Sequence, residues 1–422
     1  MENYLKSKLY LFNQLIKKKG NIITDANIPQ IKKITNISLK RKINLNLIHN
    51  KKRGIELISH QFVNGKQVLE IKFNNRKYNI ELDLIGKIQI KNVLMAILAA
   101  HKSGLKFKKI INVMKKIQSV EGRLEQIGKI KNNSKVILDY AHTPAALELA
   151  LSNLKEQFPS NKINLVFGCG GNRDLKKRPL MAKIAKKFCS KIYVTDDNPR
   201  NESPSKIRIE IIRNLDKGTY FNIGNRSAAI KKAMKNAEAN EIILVAGKGH
   251  ENYQDYGNKI FYNTSDRKII KSIKIKKNKI SKQNQNYILN SKIINKIIGD
   301  RKFYKVRGLS IDSRTIKPKE LFITIVGKKY DGNRFINNAI KKGASYILTF
   351  TKGKKNRKKK IIYKKPIIFL NKFAKLKREN ISAKILAITG SAGKTSLKDM
   401  LEKILSNNGK THASLRSFNN HY

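Results

Sequence analysis

Seven residues near one end of the chain, Gly390-Ser391-Ala392-Gly393-Lys394-Thr395-Ser396, have the types and spacing of a phosphate-binding loop. In such a loop, glycine backbone N–H groups and the start of the following helix cradle phosphate oxygens. The lysine bridges the terminal phosphates and the hydroxyl after it binds Mg2+. ATP and Mg2+ are the expected cofactors, Lys394 the expected catalytic lysine and Thr395 an expected metal ligand. A loop of this kind needs a parallel sheet beneath it. Here one apolar run at 383–389, expected to be a strand, precedes it, and one helical pattern at about 394–406 follows.

Three further polar groups each follow a β-branched run: Gly168-Cys169-Gly170-Gly171-Asn172-Arg173-Asp174, Thr195-Asp196-Asp197-Asn198-Pro199-Arg200 and Ala246-Gly247-Lys248-Gly249-His250-Glu251. Singly, each is weak. Glycine turns after strands are usually structural, and the proline suits the first turn of a helix. Three strand ends of one parallel sheet, however, converge on one crevice. They would offer Arg173 and Arg200 to a carboxylate and Glu251 with Asn198 to an ammonium, a pairing that suits a zwitterionic amino acid. Upstream, Glu121-Gly122-Arg123-Leu124-Glu125 and Asp139-Tyr140-Ala141-His142-Thr143-Pro144 flank a hairpin-like stretch. A histidine in a turn, such as His142, is more often a hydrogen-bonded structural residue than a base.

The elements that must position these groups are legible as an alternation of short β-branched runs with longer amphipathic patterns, the mark of α/β domains with largely parallel sheets. Strands are expected at 135–138, 163–167, 191–195 and 241–245. Helices are expected at 145–157, 179–188, 205–214 and 227–239. This is a doubly wound, Rossmann-like unit. From 274 to 286 the chain is mostly Lys, Asn, Gln and Ser, the composition of a linker. A smaller α/β segment follows.

The chain has 422 residues, 40% of them hydrophobic, which leaves room for about two to four domains with their own cores and argues against disorder. No apolar run reaches the roughly 18 residues of a membrane helix, and residues 1–13 carry no signal-peptide core. Cys169 and Cys189 have neither metal-ligand spacing nor a disulfide pattern. Together these features predict a cytoplasmic protein without membrane insertion. The formal net charge of +62 could suggest nucleic acid. The excess is nevertheless spread along the whole chain with abundant Ile and Asn, as an AT-rich genome would write it into any protein. Its densest run, 352–360, has no interleaved aromatics for base stacking, so nucleic acid is not an expected partner. The sequence specifies no oligomeric state.

The order of GRLE, DYAHTP, FGCGGNRD, KRPLM, TDDNPR and AGKGHE over residues 1–273 resembles the Mur ligase family, in its MurE-type branch. Residues 1–12 are similar to the family segment whose carbamylated lysine helps bind Mg2+, here Lys8, and residues 86–92 to the segment carrying an asparagine near the adenine, here Asn92. The resemblance implies that Arg123 contacts nucleotide phosphate and Asp139 the ribose. It also implies that Arg173, Asp197, Asn198, Pro199, Arg200, Gly247 and Glu251 bind the incoming amino acid, with the DNPR form going with meso-diaminopimelate. Leu309-Ser310-Ile311-Asp312-Ser313-Arg314-Thr315 and the stretch through Asp331, Gly332 and Phe335 resemble the UDP-binding N-terminal domain of the MurF-type branch, with Ser313 and Arg314 as UDP-substrate contacts. The phosphate loop resembles the start of that branch's ATPase domain.

The implied partition is a partial ATPase domain at 1–124, a C-terminal amino-acid-binding domain at 125–273, a linker at 274–286, a UDP-substrate-binding-like domain at 287–382 and the start of a second ATPase domain at 383–422. The implied activity is ATP-dependent amide-bond formation in peptidoglycan precursor synthesis, with a UDP-N-acetylmuramoyl-peptide and meso-diaminopimelate as partners. On this reading neither ligase is complete. The chain is expected to be a fusion spanning the junction of the two, truncated at both ends and inactive alone. The loop is not expected to serve the first site, since only one strand and one helix support it. The alternatives are a split ligase completed by another chain, and a basic binding protein that keeps ligase domains as scaffold.

Overall fold

A computed structural model of the chain describes residues 2–50, 52, 54–130, 132–262, 264–272, 287–299, 302, 304–327, 331–351, 359–391 and 393–414. The expected linker at 274–286, Ala392 and most of the basic run at 352–360 lie outside the described residues. Two compact units emerge, one from residues 1–276 together with 387–417, the other from 277–386 with 418–422.

The first unit begins with helix α1 (Glu2–Tyr10) and a five-stranded sheet in the order β1 (Asn21–Asp25), β2 (Asn44–Ile48), β3 (Gly54–Val63), β4 (Lys66–Phe73) and β5 (Arg76–Leu82). The first three strands run parallel, with α2 (Ile31–Lys40) as the crossover from β1 to β2. The last three form an antiparallel meander. Its tight turns rest on residues that tolerate positive φ, Asn64-Gly65 at 51° and 77° and Asn74-Asn75 at 47° and 61°. Two helices follow, α3 (Ile88–Lys102) and α4 (Phe107–Met114). Ten residues of α3 are buried, from Gln89 through Ala100, so this helix is covered on more than one face.

The next sheet has six strands, β6 (Glu125–Lys129), β7 (Lys135–Leu138), β8 (Ile163–Phe167), β9 (Lys191–Val194), β10 (Tyr220–Asn222) and β11 (Ile242–Val245). Their order is β10-β9-β8-β11-β7-β6, all parallel except β6, which makes an antiparallel hairpin with β7. Helices α5 (Pro144–Gln157), α6 (Lys177–Phe188), α7 (Pro204–Ile212) and α8 (Arg226–Lys235) connect them. Two apolar clusters, one around Leu147, Leu165 and Met181 and one around Val136, Tyr193 and Ala233, cover the sheet. Start signals are visible: Thr143 accepts from the N–H of Ala146 ahead of Pro144, and Asn225 accepts from that of Ala228. The chain steps outward through β8, β9 and β10 and then returns to insert β11 between β8 and β7. That reversal opens a crevice at the carboxyl ends of β8 and β11. A short hairpin, β12 (Tyr253–Asp255) with β13 (Ile260–Tyr262), and α9 (Asp266–Lys271) follow.

The second unit holds α10 (Tyr287–Ile298) and a parallel sheet in chain order, β14 (Gly308–Ser310), β15 (Glu320–Ile323), β16 (Tyr346–Thr349) and β17 (Lys360–Ile362), with α11 (Ile336–Lys341) and α12 (Pro366–Glu379). Phe369 and Phe373 of α12 join Leu321 and Leu348 in its main core.

The structure departs from expectation after α12. The apolar run 383–389 pairs with no described strand, and Ile385 is 54% exposed. Residues 387–414 instead belong to the first unit, where α13 (Lys394–Ser406) lies along α3 and buries Met400, Leu401 and Ile404. This packing of α13 on α3 is not foreseen by the sequence. Its physical reason is that α3 offers an apolar surface that α13 can cover.

No described helix is long and apolar enough to cross a membrane. Cys169 and Cys189 are both free thiols, and burial pushes that of Cys169 up to about 12.

Candidate functional site

Four loops leave the carboxyl ends of adjacent strands β9, β8, β11 and β7, and side chains lock them to one another. Gly168 and Gly171 let the loop after β8 lie against the loop after β9. A Cβ on Gly171 would stand 1.9 Å from the carbonyl of Pro199, and one on Gly168 2.1 Å from that of Thr195. The Gly171 N–H donates to the Asn198 carbonyl at 2.9 Å. Arg200 Nη1 donates to the carbonyls of Gly171 at 2.8 Å and Asn198 at 3.2 Å. Arg200 holds a left-handed backbone, φ 52°, unusual for a residue with a Cβ and a mark of local strain. Gly171→Ala is expected to destabilise the first unit by about 1–3 kcal/mol, read from urea denaturation, because backbone rather than a movable side chain opposes the added methyl.

Asn198 is the hub. It is buried, donates through Nδ2 to Glu251 Oε2 at 3.2 Å, and accepts through Oδ1 from Lys248 Nζ at 3.1 Å and from the Asp255 N–H at 3.0 Å. Lys248 is fully buried, donates also to the Tyr253 carbonyl, and lies 3.7 Å from Glu251. Burial pushes its ammonium below the usual lysine range, against the opposing charge of Asp197. Asp197 reaches toward Gly247, where φ is 111° and a Cβ would meet the Asp197 carboxylate at 2.9 Å. Glu251 accepts from the Tyr140 hydroxyl at 3.4 Å. Beneath, Arg226 joins Asp266 through two bonds of 2.8 Å and donates to the Ala246 carbonyl at 2.9 Å, fixing the end of β11.

The arrangement brings together Asp197, Asn198, Pro199, Arg200, Gly247 and Glu251. Arg173 stands apart on the same loop system, exposed and without a hydrogen-bond or ion-pair partner among the described residues. Glu251, Asn198 and Asp197 lie together beside Arg200, a set whose carboxylates can hold an ammonium and whose guanidinium can hold a carboxylate. Lys248, Tyr140, Tyr253 and Asp255 were not singled out from the sequence. The signal for Lys248 was its place between Gly247 and Gly249, both with positive φ.

A second group starts at the carboxyl end of β7. Asp139 is buried and accepts at 2.7 Å from the N–H groups of both Leu124 and Ala141. Burial pushes its carboxyl above the usual range, although those two N–H groups and Arg123 oppose it. The Arg123 guanidinium lies 4.7 Å over the Tyr140 ring, and His142 hydrogen-bonds the Tyr140 carbonyl at 3.0 Å, the structural part expected of it. In the loop 390–396, Lys394 Nζ donates to its own Gly390 carbonyl at 2.7 Å, and Gly393 has φ 78°. Lys8 Nζ donates to Ser391 Oγ at 2.6 Å. A Cβ on Gly393 would stand 2.5 Å from Asn92 Oδ1. At the ends of β1 and β2, Asp25 forms an ion pair with Lys91 at 2.7 Å and contacts His49 Nδ1 at 2.9 Å. Burial would raise the Asp25 carboxyl, but Lys91 and His49 outweigh it and hold it below the usual range.

No cluster of three or more His, Cys, Asp or Glu side chains that could hold a metal occurs among the described residues. Mg2+ commonly takes one or two protein ligands and completes its shell with water and substrate phosphates. Thr395, at the start of α13 beside Lys394, fits that mode. Lys8 as an ammonium does not; only as a carbamate would it present oxygen to a metal.

In the second unit, Ser313 is buried and accepts from Asn338 at 3.4 Å. Arg314, largely exposed, pairs with Asp312 at 2.8 Å, and its side chain holds the Asp312 carboxyl below the usual range.

Comparison with known proteins follows the same divisions. Residues 1–100 match the Mur ligase middle domain, residues 122–249 the Mur ligase glutamate ligase domain, and residues 305–387 the Mur ligase family catalytic domain. The UDP-N-acetylmuramoyl-L-alanyl-D-glutamate--2,6-diaminopimelate ligase of Rickettsia montanensis is 41% identical over 259 residues, 61% of this chain and 53% of the relative. That of Buchnera aphidicola subsp. Baizongia pistaciae is 38% identical over 292 residues, 66% and 56% of the two chains. The chain thus spans about half the length of the curated relatives it matches. A solved structure of such a diaminopimelate ligase is 27% identical with a TM-score of 0.49, covering 64% of this chain and 56% of its own. With three of its domains matched in succession along the sequence, this α/β chain belongs to the Mur ligase family.

Proposed function

We propose that the first unit carries the amino-acid and nucleotide chemistry of a MurE-type ligase, which adds meso-diaminopimelate to UDP-N-acetylmuramoyl-L-alanyl-D-glutamate in cytoplasmic peptidoglycan precursor synthesis. The crevice centred on Asn198 supports this reading most directly. Its buried Asn198 bonds both the buried Lys248 and the half-buried Glu251, where the ends of strands β9 and β11 meet. A polar set of this kind suits the second amino-acid head group of diaminopimelate, which carries both an ammonium and a carboxylate, where the side chain of lysine has only an ammonium.

In this scheme ATP supplies the phosphoryl group that activates the substrate carboxylate, and the amine of diaminopimelate displaces it to give the amide. The chain's own residues position the reactants. Glu251, Asn198 and Asp197 hold the ammonium, Arg173 and Arg200 hold carboxylate, and Gly247 leaves the space beside Asp197 open. Arg123 and Asn92 meet the nucleotide, Asp139 receives its ribose hydroxyls, and Lys394 with the 390–396 N–H groups neutralises phosphate. Thr395 and, as a carbamate, Lys8 would hold Mg2+, which would neutralise phosphate charge. Catalysis of this class rests chiefly on such positioning and charge neutralisation. We propose further that residues 287–382 supply a MurF-type UDP-binding surface through Ser313 and Arg314, so that the chain joins parts of two ligases.

Isothermal titration of the full chain tests the central claim. Meso-diaminopimelate should release heat on binding and lysine should release clearly less. Equal and negligible heats for the two would overturn it.

A further inference from the structure

We propose that Arg178 and Glu202 are positioning residues of the amino-acid site, forming a strut that sets the loop after β8, and with it Arg173, against the loop after β9. This inference rests on the amino-acid-binding reading of the first unit. Arg178, the arginine of the KRPLM run, has no part in the scheme given so far. It stands in the first turn of α6 and is 1% exposed, a burial that a guanidinium tolerates only with partners. It finds them on two separate segments. Nη1 donates to Glu210 Oε2 of α7 at 2.8 Å, and Nη2 donates to Glu202 Oε2, in the loop after β9, at 2.7 Å. The planar fork of an arginine spans both carboxylates, which the single ammonium of a lysine cannot do.

Glu202 passes the restraint on. Its other oxygen, Oε1, accepts from the Asn172 N–H in the loop after β8. Burial alone would raise the Glu202 carboxyl, but Arg178 and that N–H outweigh it and hold it below the usual range, so it stays an anion that accepts from both. Asn172 has a left-handed backbone, φ 53°, and its Oδ1 accepts from the Asn201 N–H at 3.1 Å. On the far side of Arg173, Asp174 Oδ1 accepts from the Lys176 N–H at 2.9 Å. Arg173 thus stands between two fixed residues, while its own side chain has no hydrogen-bond or ion-pair partner among the described residues. Its place is set by its neighbours' backbone, and the strut sets Asn172. A buried guanidinium therefore fixes where a second, exposed one begins, without touching the ligand.

Hydrogen exchange and titration of meso-diaminopimelate, both on the full chain, test the strut. In Glu202→Ala, amide exchange over 168–174 should rise about tenfold while that of β8 stays as in the wild type. Unchanged exchange over 168–174 would overturn the proposal. Affinity for meso-diaminopimelate should fall about tenfold in Glu202→Ala, the loss of one charge-assisted contact. Glu202→Gln, which keeps an acceptor oxygen for one of its two donors, should lose less, and Arg178→Lys, which keeps the charge but not the fork, should also weaken binding. In a chain that already carries Arg173→Ala, Glu202→Ala should cause no further loss, because it acts through Arg173. An equal loss in both backgrounds would mean that Glu202 only supports the fold, and would also overturn the proposal. Should the wild-type chain give no heat with meso-diaminopimelate while exchange over 168–174 responds as expected, the strut stands and the diaminopimelate reading falls.

Discussion

Asn198→Leu is expected to abolish detectable binding of meso-diaminopimelate while leaving the sheet intact. The side chain satisfies three groups at once: the buried ammonium of Lys248, the N–H of Asp255 and one carboxylate oxygen of Glu251. Leucine fills a similar volume but offers no polar atom. Removing one partner of a buried charge costs about 2–5 kcal/mol, most of it from the group left unpaired. In affinity this is a loss of roughly 30-fold to several thousandfold. Lys248 keeps the Tyr253 carbonyl, so the loop should not unfold outright. Titration of the variant with meso-diaminopimelate, alongside circular dichroism to confirm the fold, measures the effect. Near wild-type affinity would show that the hub does not shape the crevice.

The second large effect is expected at Asp266. Its carboxylate and Arg226 are both almost fully buried, joined by two bonds of 2.8 Å, and Arg226 also supports the Ala246 carbonyl at the end of β11. Asp266→Ala leaves an arginine charge without its counter-ion inside the protein, a change that costs about 3–5 kcal/mol. Replacing both members, Arg226→Met with Asp266→Ala, should cost less than Asp266→Ala alone, because no orphan charge remains. Urea denaturation of the single and double variants decides this. A double variant as unstable as the single one would mean that packing, not charge, dominates the site.

The parts of the fold that were legible are those written by local pattern. The runs at β7, β8, β9 and β11 are short and apolar because both faces of a parallel sheet are covered, and the strand ends were read to within a residue. The glycine loops after them could be placed for the same reason. Three things were not legible. The pairing of Arg226 with Asp266 and the contacts of Lys248 join distant positions, which no local pattern encodes. The mixed sheet β1 to β5 has its first register set by crossovers. The run 383–389 has strand composition, yet a strand exists only where a neighbour offers its hydrogen bonds, and none of the described strands does. The candidate site followed the same division: Asp197 to Arg200, Gly247 and Glu251 came together as expected, Arg173 stayed at the exposed margin, and Ala392 lies outside the described residues.

The contact between Lys8 and Ser391 also sets a schedule for the molecule. During synthesis the sheet of β1 to β5 and its helices leave the ribosome long before their partner loop, which emerges 383 positions after Lys8. The entropy of closing so long a tether grows only logarithmically with its length, about 0.6 kcal/mol per doubling, so the delay is a matter of time more than of equilibrium. Through that interval α3 keeps one apolar flank uncovered, the condition under which nascent chains recruit chaperones or aggregate. The packing of α13 on α3 should therefore be the last contact the first unit completes, arriving only when the second has already been made.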